Sequence, residues 1–134
     1  MQWAAGALVS NADDLARFYR ALLGGRLLRP DLLRLMETTV AAPQLGPGNA
    51  CGLGLQRVPE PCGALWGHTG GSPGYVAHAL NTRDASRQVV VLVNATGPLS
   101  PAGLFGLPTH AARAVERLIH TATCSTSSFA ARGR

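Results

Sequence analysis

Residues 52 to 94 hold four short stretches with strand character, joined by turns too short to be crossovers. The stretches are 52–58 (GLGLQRV), 64–69 (ALWGHT), 74–81 (GYVAHALN) and 88–94 (QVVVLVN). Pro59-Glu60-Pro61, Gly70 to Pro73, and Arg83 to Ser86 punctuate them. A parallel pair needs a crossover of a dozen or more residues, so these connections force antiparallel neighbours. The run Val89 to Val93 is apolar throughout and predicts a strand covered on both faces, inside the sheet.

Helical periodicity flanks this meander. Leu15, Phe18, Tyr19, Leu22 and Leu23 recur at helical spacing, with Ser10 placed to cap and Gly24-Gly25 to terminate. Asp13 and Arg17 form an i,i+4 pair on the outer face. Pro30 opens a second, shorter helix carrying Leu32, Leu33, Leu35 and Met36, and 41–50 reads as loop. Residues 97–108 also read as loop. A last helix over 109–121 carries Ala112, Val115, Leu118 and Ile119 on one face. Two helices, an antiparallel meander and a helix make an α+β fold with helices packed on a sheet. The expected division is one partial domain over 1–122 and a flexible tail over 123–134.

The 134 residues suffice for one core. All twelve basic residues are Arg, scattered without a stripe and without interleaved aromatics, so nucleic acid is not an expected partner. No apolar run is long enough for a membrane span. Met1-Gln2-Trp3-Ala4-Ala5-Gly6 lacks the charged start of a signal peptide, and the chain reads as beginning inside a larger domain. The cysteines are Cys51, Cys62 and Cys124, so one disulfide at most can form. No C-x-x-C exists, and His78, His110 and His120 pair with no second donor at metal spacing, so no metal is expected. His78 reads as a core histidine, and His110 and His120 as solvated.

The stretch 67–75, GHTGGSPGY, holds two competing signals. Gly70-Gly71-Ser72-Pro73-Gly74 is formally G-x-S-x-G, the pattern of a nucleophile elbow. The elbow needs strand, turn and helix, and uses the N–H of the residue after the serine. Here that residue is Pro73, which has no N–H, and a strand pattern follows. Ser72 therefore reads as part of a turn.

The second signal is His68-Thr69-Gly70. With AAGALVSNADDLARFYRALLGGRLL, GLGL and VVVLVNAT, it makes the chain resemble the C-terminal part of the serine β-lactamase and D-alanyl-D-alanine carboxypeptidase family. The resemblance is to the class C-like branch, with its Streptomyces-type carboxypeptidases. Such enzymes arrange S-x-x-K, Y-x-N and K-T-G or H-T-G around one cleft. The resemblance implies that His68 keeps the proton network in register and that the Gly71 N–H is an oxyanion donor. It implies that Thr69, with Gly70 beside it, binds the substrate carboxylate. One oxyanion donor contributes about 3 kcal/mol to transition-state stabilisation. Either Gln56 or Arg57 would take the place of a cationic residue that holds the carboxylate in the carboxypeptidases; alternation lets only one face the cleft. The family also implies a Cys62–Cys124 disulfide in a secreted protein, with Cys51 left free. The resemblance implies that full-length members are secreted or lie at the cell envelope and act on peptide or β-lactam-like acyl substrates, without a cofactor.

The chain departs from the family in lacking Lys altogether, so S-x-x-K is absent. Tyr19 and Tyr75 do not begin Y-x-N, so the nucleophile is none of its residues. The chain reads as the H-T-G wall of a hydrolase whose N-terminal part is missing, or as a non-catalytic remnant that binds. In the family the N-terminal strands lie beside the strand equivalent to 88–94. A labelled β-lactam incubated with the 134-residue chain is expected to leave no covalent adduct. An adduct on Ser72 would overturn this assignment.

Overall fold

A computed structural model of the protein describes residues 6, 8–72, 74–94 and 107–124. The expectations for residues 1–5, for most of the 97–108 loop and for the tail beyond 124 lie outside the described residues. So does Pro73.

Helix α1 (Ala12–Leu23) buries Tyr19, Leu22 and Leu23. Its cap is Asn11 rather than Ser10: Asn11 Oδ1 accepts the Asp14 N–H at 2.9 Å. That satisfies one of the helix's orphan amides. The surface ion pair is Arg17–Asp14 at 3.0 Å, one residue short of the expected Asp13 partner. Phe18 is exposed and stands edge-on to Tyr19. Helix α2 (Pro30–Met36) buries Leu33 and leaves Leu32 and Leu35 out.

The strands are β1 (Val40–Ala41), β2 (Ala50–Cys51), β3 (Gln56–Val58), β4 (Leu65–Ser72), β5 (Tyr75–Thr82) and β6 (Gln88–Val93). They form one antiparallel sheet in chain order. The expected loop 41–50 hides the two short strands β1 and β2, with a 3-10 turn at Pro43–Leu45 between them. Conversely, Gly52 to Leu55 is no strand. The Leu53 N–H donates to the Met36 carbonyl at 3.1 Å, which turns that segment toward α2. Strand β4 runs three residues past the expected end, so Gly70 to Ser72 are extended and only residues 73 and 74 connect it to β5. Gly74 has φ +86°, the left-handed conformation such a tight connection demands.

Residues paired across a ladder share a face, and neighbours along a strand alternate. One face of β4, β5 and β6 presents Trp66, His68, Gly70, Ala79, Asn81 and Val90. Helices α1 and α2 cover part of it, packing Tyr19, Leu22, Leu23 and Leu33 with Leu55, Ala79, Trp66 and Val90. The other face presents Leu65, Gly67, Thr69, Gly71, His78, Leu80 and Val89. Helix α3 (Thr109–Cys124) covers it, packing Ile119 and Val115 on Leu65, Leu80 and Val89. Leu118, expected on that face, is exposed, and Thr123 is buried instead. Gly67 is required where β4 crosses β5: a Cβ there would meet the Ala79 carbonyl oxygen.

A polar network fastens α1 to the sheet. Asn81 is fully buried. Its Nδ2 donates to the Trp66 carbonyl at 3.1 Å, and its Oδ1 accepts from Gln88 Nε2 at 2.7 Å. Gln88 Nε2 also reaches the Ala16 carbonyl, and Gln88 Oε1 accepts from both Arg20 Nε and Nη2. Arg87 Nη1 donates to the Thr123 carbonyl at 2.8 Å near the C-terminal end of α3, where the helix dipole favours a cation. Breaking the buried network is expected to cost far more than the surface pair. Asn81→Ala should lower unfolding stability by about 1–3 kcal/mol. Arg17→Ala should change it by less than ~1 kcal/mol. Urea unfolding of both variants measures the difference.

Strand β6 has both faces covered, by α1 and α3, as its apolar sequence implied. It does not lie inside the sheet: among the described residues it is the last strand, and Leu92 is half-exposed. A Val-rich edge with unpaired backbone groups is a template for another chain. The 134-residue chain is expected to self-associate through β6, and Leu92→Lys to weaken that association. A concentration-independent monomer by light scattering, with Val89–Val93 amides already protected from exchange, would refute it.

Candidate active site

Strand β3 pairs with only the first half of β4: Gln56, Arg57 and Val58 lie opposite Gly67, Trp66 and Leu65. Beyond Gly67 that edge of β4 has no strand partner among the described residues. The Thr69 N–H points out along this edge and donates to Gln56 Oε1 at 3.1 Å. The Thr69 hydroxyl donates to the same oxygen at 3.0 Å. Backbone amides alternate between the two edges of a strand, so the Gly71 N–H leaves β4 on the same open edge as that of Thr69. Gln56, Thr69 and Gly71 form one row.

Gln56 is buried, 8% exposed, with its carbonyl oxygen held by two donors. The amide nitrogen is then what this side chain offers to the space beside it. That space is a cavity of about 640 Å³ between the sheet and α3. Gln56, Thr69, His78 and Leu80 line it from the sheet, Glu60 from the β3–β4 connection, and Glu116, Arg117, Ile119 and His120 from α3. Two carboxylates against one guanidinium give this lining a formal charge of −1 with neutral histidines. Burial pushes the His78 imidazole below its usual range, and the nearby Glu116 carboxylate opposes that only in part. His78 is therefore the neutral imidazole at pH 7, able to donate one hydrogen bond and accept another.

The residues singled out from sequence do not all converge. Gln56, rather than Arg57, stands beside Thr69. Arg57 is opposite Trp66 and directed to the other face. His68 and Gly70 are exposed on the α1/α2 face, because alternation separates them from Thr69 and Gly71. Tyr75 is exposed at the hairpin. Ser72 ends β4 and leads into another strand, which is not the setting of an elbow nucleophile. Cys62 and Cys124 are disulfide-bonded, with Cα atoms 5.4 Å apart, and Cys51 is free.

His120 is not merely solvated: its Nδ1 lies 3.2 Å from Glu60 Oε2. Glu60, His120 and Cys124 gather their donor atoms within 4.8 Å of one another, against the expectation that no histidine meets a second donor. Half of this was readable, since Glu116, His120 and Cys124 recur every four residues and share a helix face. Glu60 was not, because only the fold brings the β3–β4 connection against α3.

The Beta-lactamase family model matches residues 1–105. The crystal structure of a D-stereospecific amidohydrolase from Streptomyces sp. is similar at a TM-score of 0.68 and 34% identity, over 88% of this chain and 31% of that one. A D-amino acid amidase from Ochrobactrum anthropi SV3, complexed with D-phenylalanine, shares the fold. Its TM-score is 0.63, with 24% identity over 82% of this chain and 35% of that one. The chain thus spans about a third of the length of each neighbour. The meander, its flanking helices and the family match agree: the chain belongs to the Beta-lactamase family.

Proposed function

We propose that this chain is the C-terminal portion of a serine acyl-transfer hydrolase, that β4 contributes the H-T-G wall of its cleft, and that its substrate is an amide of D configuration. The observation that carries the reading is the double hydrogen bond from Thr69 to Gln56, which sets a neutral amide donor where a carboxypeptidase needs a cation. A carboxylate that leaves water must be paired with charge or well hydrogen-bonded. Beside Gln56 the lining carries a net negative charge instead, and Arg57 faces away. A substrate with a neutral carbonyl and a free ammonium suits that field. The D-stereospecific amidohydrolase and the D-amino acid amidase among the similar structures support the same class.

In this scheme a serine from the N-terminal part attacks the acyl carbonyl, and the carbonyl π electrons move onto oxygen. The Gly71 N–H donates to that oxyanion from the open edge of β4. The tetrahedral intermediate collapses, the C–N bond breaks and the amine leaves with a proton. Water then releases the acyl group from the serine. Thr69 and Gln56 orient the substrate, and His68 acts from the opposite face on the proton network. With no S-x-x-K, the 134-residue chain alone binds without turnover, which is the sense in which a binding-module reading also fits.

The test is an NMR titration of the chain with a D-amino acid amide and with an N-acyl-D-alanyl-D-alanine. The Thr69 and Gly71 amides are expected to shift, with the D-amino acid amide bound more tightly. Gln56→Arg should move the preference toward the carboxylate by about tenfold or more. Tighter binding of the carboxylate peptide to the unaltered chain would defeat the amide assignment.

A further inference from the structure

We propose that Glu60, Cys62, His120 and Cys124 form a redox-controlled zinc site: with the Cys62–Cys124 bridge reduced, these four side chains bind one Zn²⁺. Two local pairs supply the ligands. Glu60 and Cys62 stand two residues apart in the β3–β4 connection, and His120 and Cys124 four apart on one face of α3. Two ligands from a hairpin connection and two from a helix is an arrangement that structural zinc sites use. The second pair has the H-x3 spacing of such sites, with cysteine in the last place.

The distances agree with the chemistry. Zn–N and Zn–O bonds of about 2.0–2.2 Å at a tetrahedral centre put their donor atoms about 3.3–3.6 Å apart. His120 Nδ1 and Glu60 Oε2 are 3.2 Å apart. Cys124 Sγ joins them within 4.8 Å, and Cys62 Sγ is bonded to Cys124 Sγ. On reduction the sulfurs need only separate to about 3.8 Å, the tetrahedral edge for Zn–S bonds of about 2.3 Å. Cys62 is exposed, so side-chain rotation can supply that movement. The Glu60–His120 pair already sits beside the bridge, which sets half of the ligand set in place before reduction.

The two states exclude each other, because a sulfur in the disulfide cannot act as a thiolate. A dithiol reductant gives up two electrons and two protons, the S–S bond breaks, and the reductant leaves as its own disulfide. Zn²⁺ then binds both sulfurs as thiolates and two protons are released. Two thiolates, one carboxylate and a neutral imidazole bring the site to a formal charge of −1. Soft sulfur with imidazole and carboxylate at tetrahedral geometry selects zinc over magnesium or calcium. The site clamps the end of α3 to the β3–β4 connection, as the disulfide does, so the protein keeps one cross-link in either redox state.

The test uses the 134-residue chain, reduced with a phosphine and titrated with Co²⁺ as an optical stand-in for zinc. One Co²⁺ per chain is expected, with sulfur-to-cobalt charge-transfer bands, tetrahedral d–d absorption and bleaching by one equivalent of Zn²⁺. The disulfide form should show none of these. His120→Ala and Glu60→Gln should each weaken binding by roughly 10–100-fold or more. Absence of charge-transfer bands in the reduced chain would overturn the proposal. So would affinity unchanged in both variants, the result expected if two thiols of an unfolded chain took the metal without the fold.

Discussion

Strand β5 pairs along most of its length with β4 on one side and β6 on the other, and this double pairing fixes the faces of all three. Because side chains alternate with a period of two, the register decides which of His68 and Thr69 looks at which helix. A slip of one residue would turn Asn81, fully buried and hydrogen-bonded, out of its network and would bring Gly67 away from the Ala79 carbonyl. Both penalties oppose the slip. The same register sets Leu65, Leu80 and Val89 under α3. Full burial of each such side chain stabilises by about 1.5–3 kcal/mol, well above the surface ion pairs.

The site exists where pairing stops. Strand β3 has only three residues against β4, so the edge carrying Thr69 and Gly71 keeps its amides directed outward. One of them is already occupied by Gln56, and that contact orients the only polar side chain of β3 facing the cavity. A cationic residue at the same place would present charge to a ligand. A glutamine with its oxygen engaged presents neutral N–H groups. The proposed substrate class thus rests on one side chain and on two hydrogen bonds, one from the Thr69 backbone N–H and one from its hydroxyl.

Much of the fold was legible. The helical face of α1, the α+β class and the antiparallel order followed from periodicity and from connections too short to cross over. Boundaries failed where tertiary contacts overrode local pattern. Gly52 to Gly54 has strand-like neighbours, yet Leu53 bonds to Met36 and turns. Gly70 to Ser72 reads as a turn because glycines usually mark one, yet pairing with Tyr75 to Ala77 keeps it extended. Leu118 and Thr123 exchanged roles because α3 lies on the sheet along a line through Val115, Ile119 and Thr123.

The sequence by itself determined the family, through GHTGGSPGY and its flanking stretches, and it determined that this chain carries no S-x-x-K. Those are matters of residue identity and order. It left open whether Gln56 or Arg57 faces the cleft, because alternation fixes opposite faces without saying which is inward. Only the pairing of Gln56 with Gly67, next to Thr69, decided that. Only the packing of α3 brought Glu60 beside His120 and the Cys62–Cys124 bridge, 60 residues apart in the chain for the first pair. Contacts of that range depend on where helices settle on the sheet, and local pattern holds no record of it.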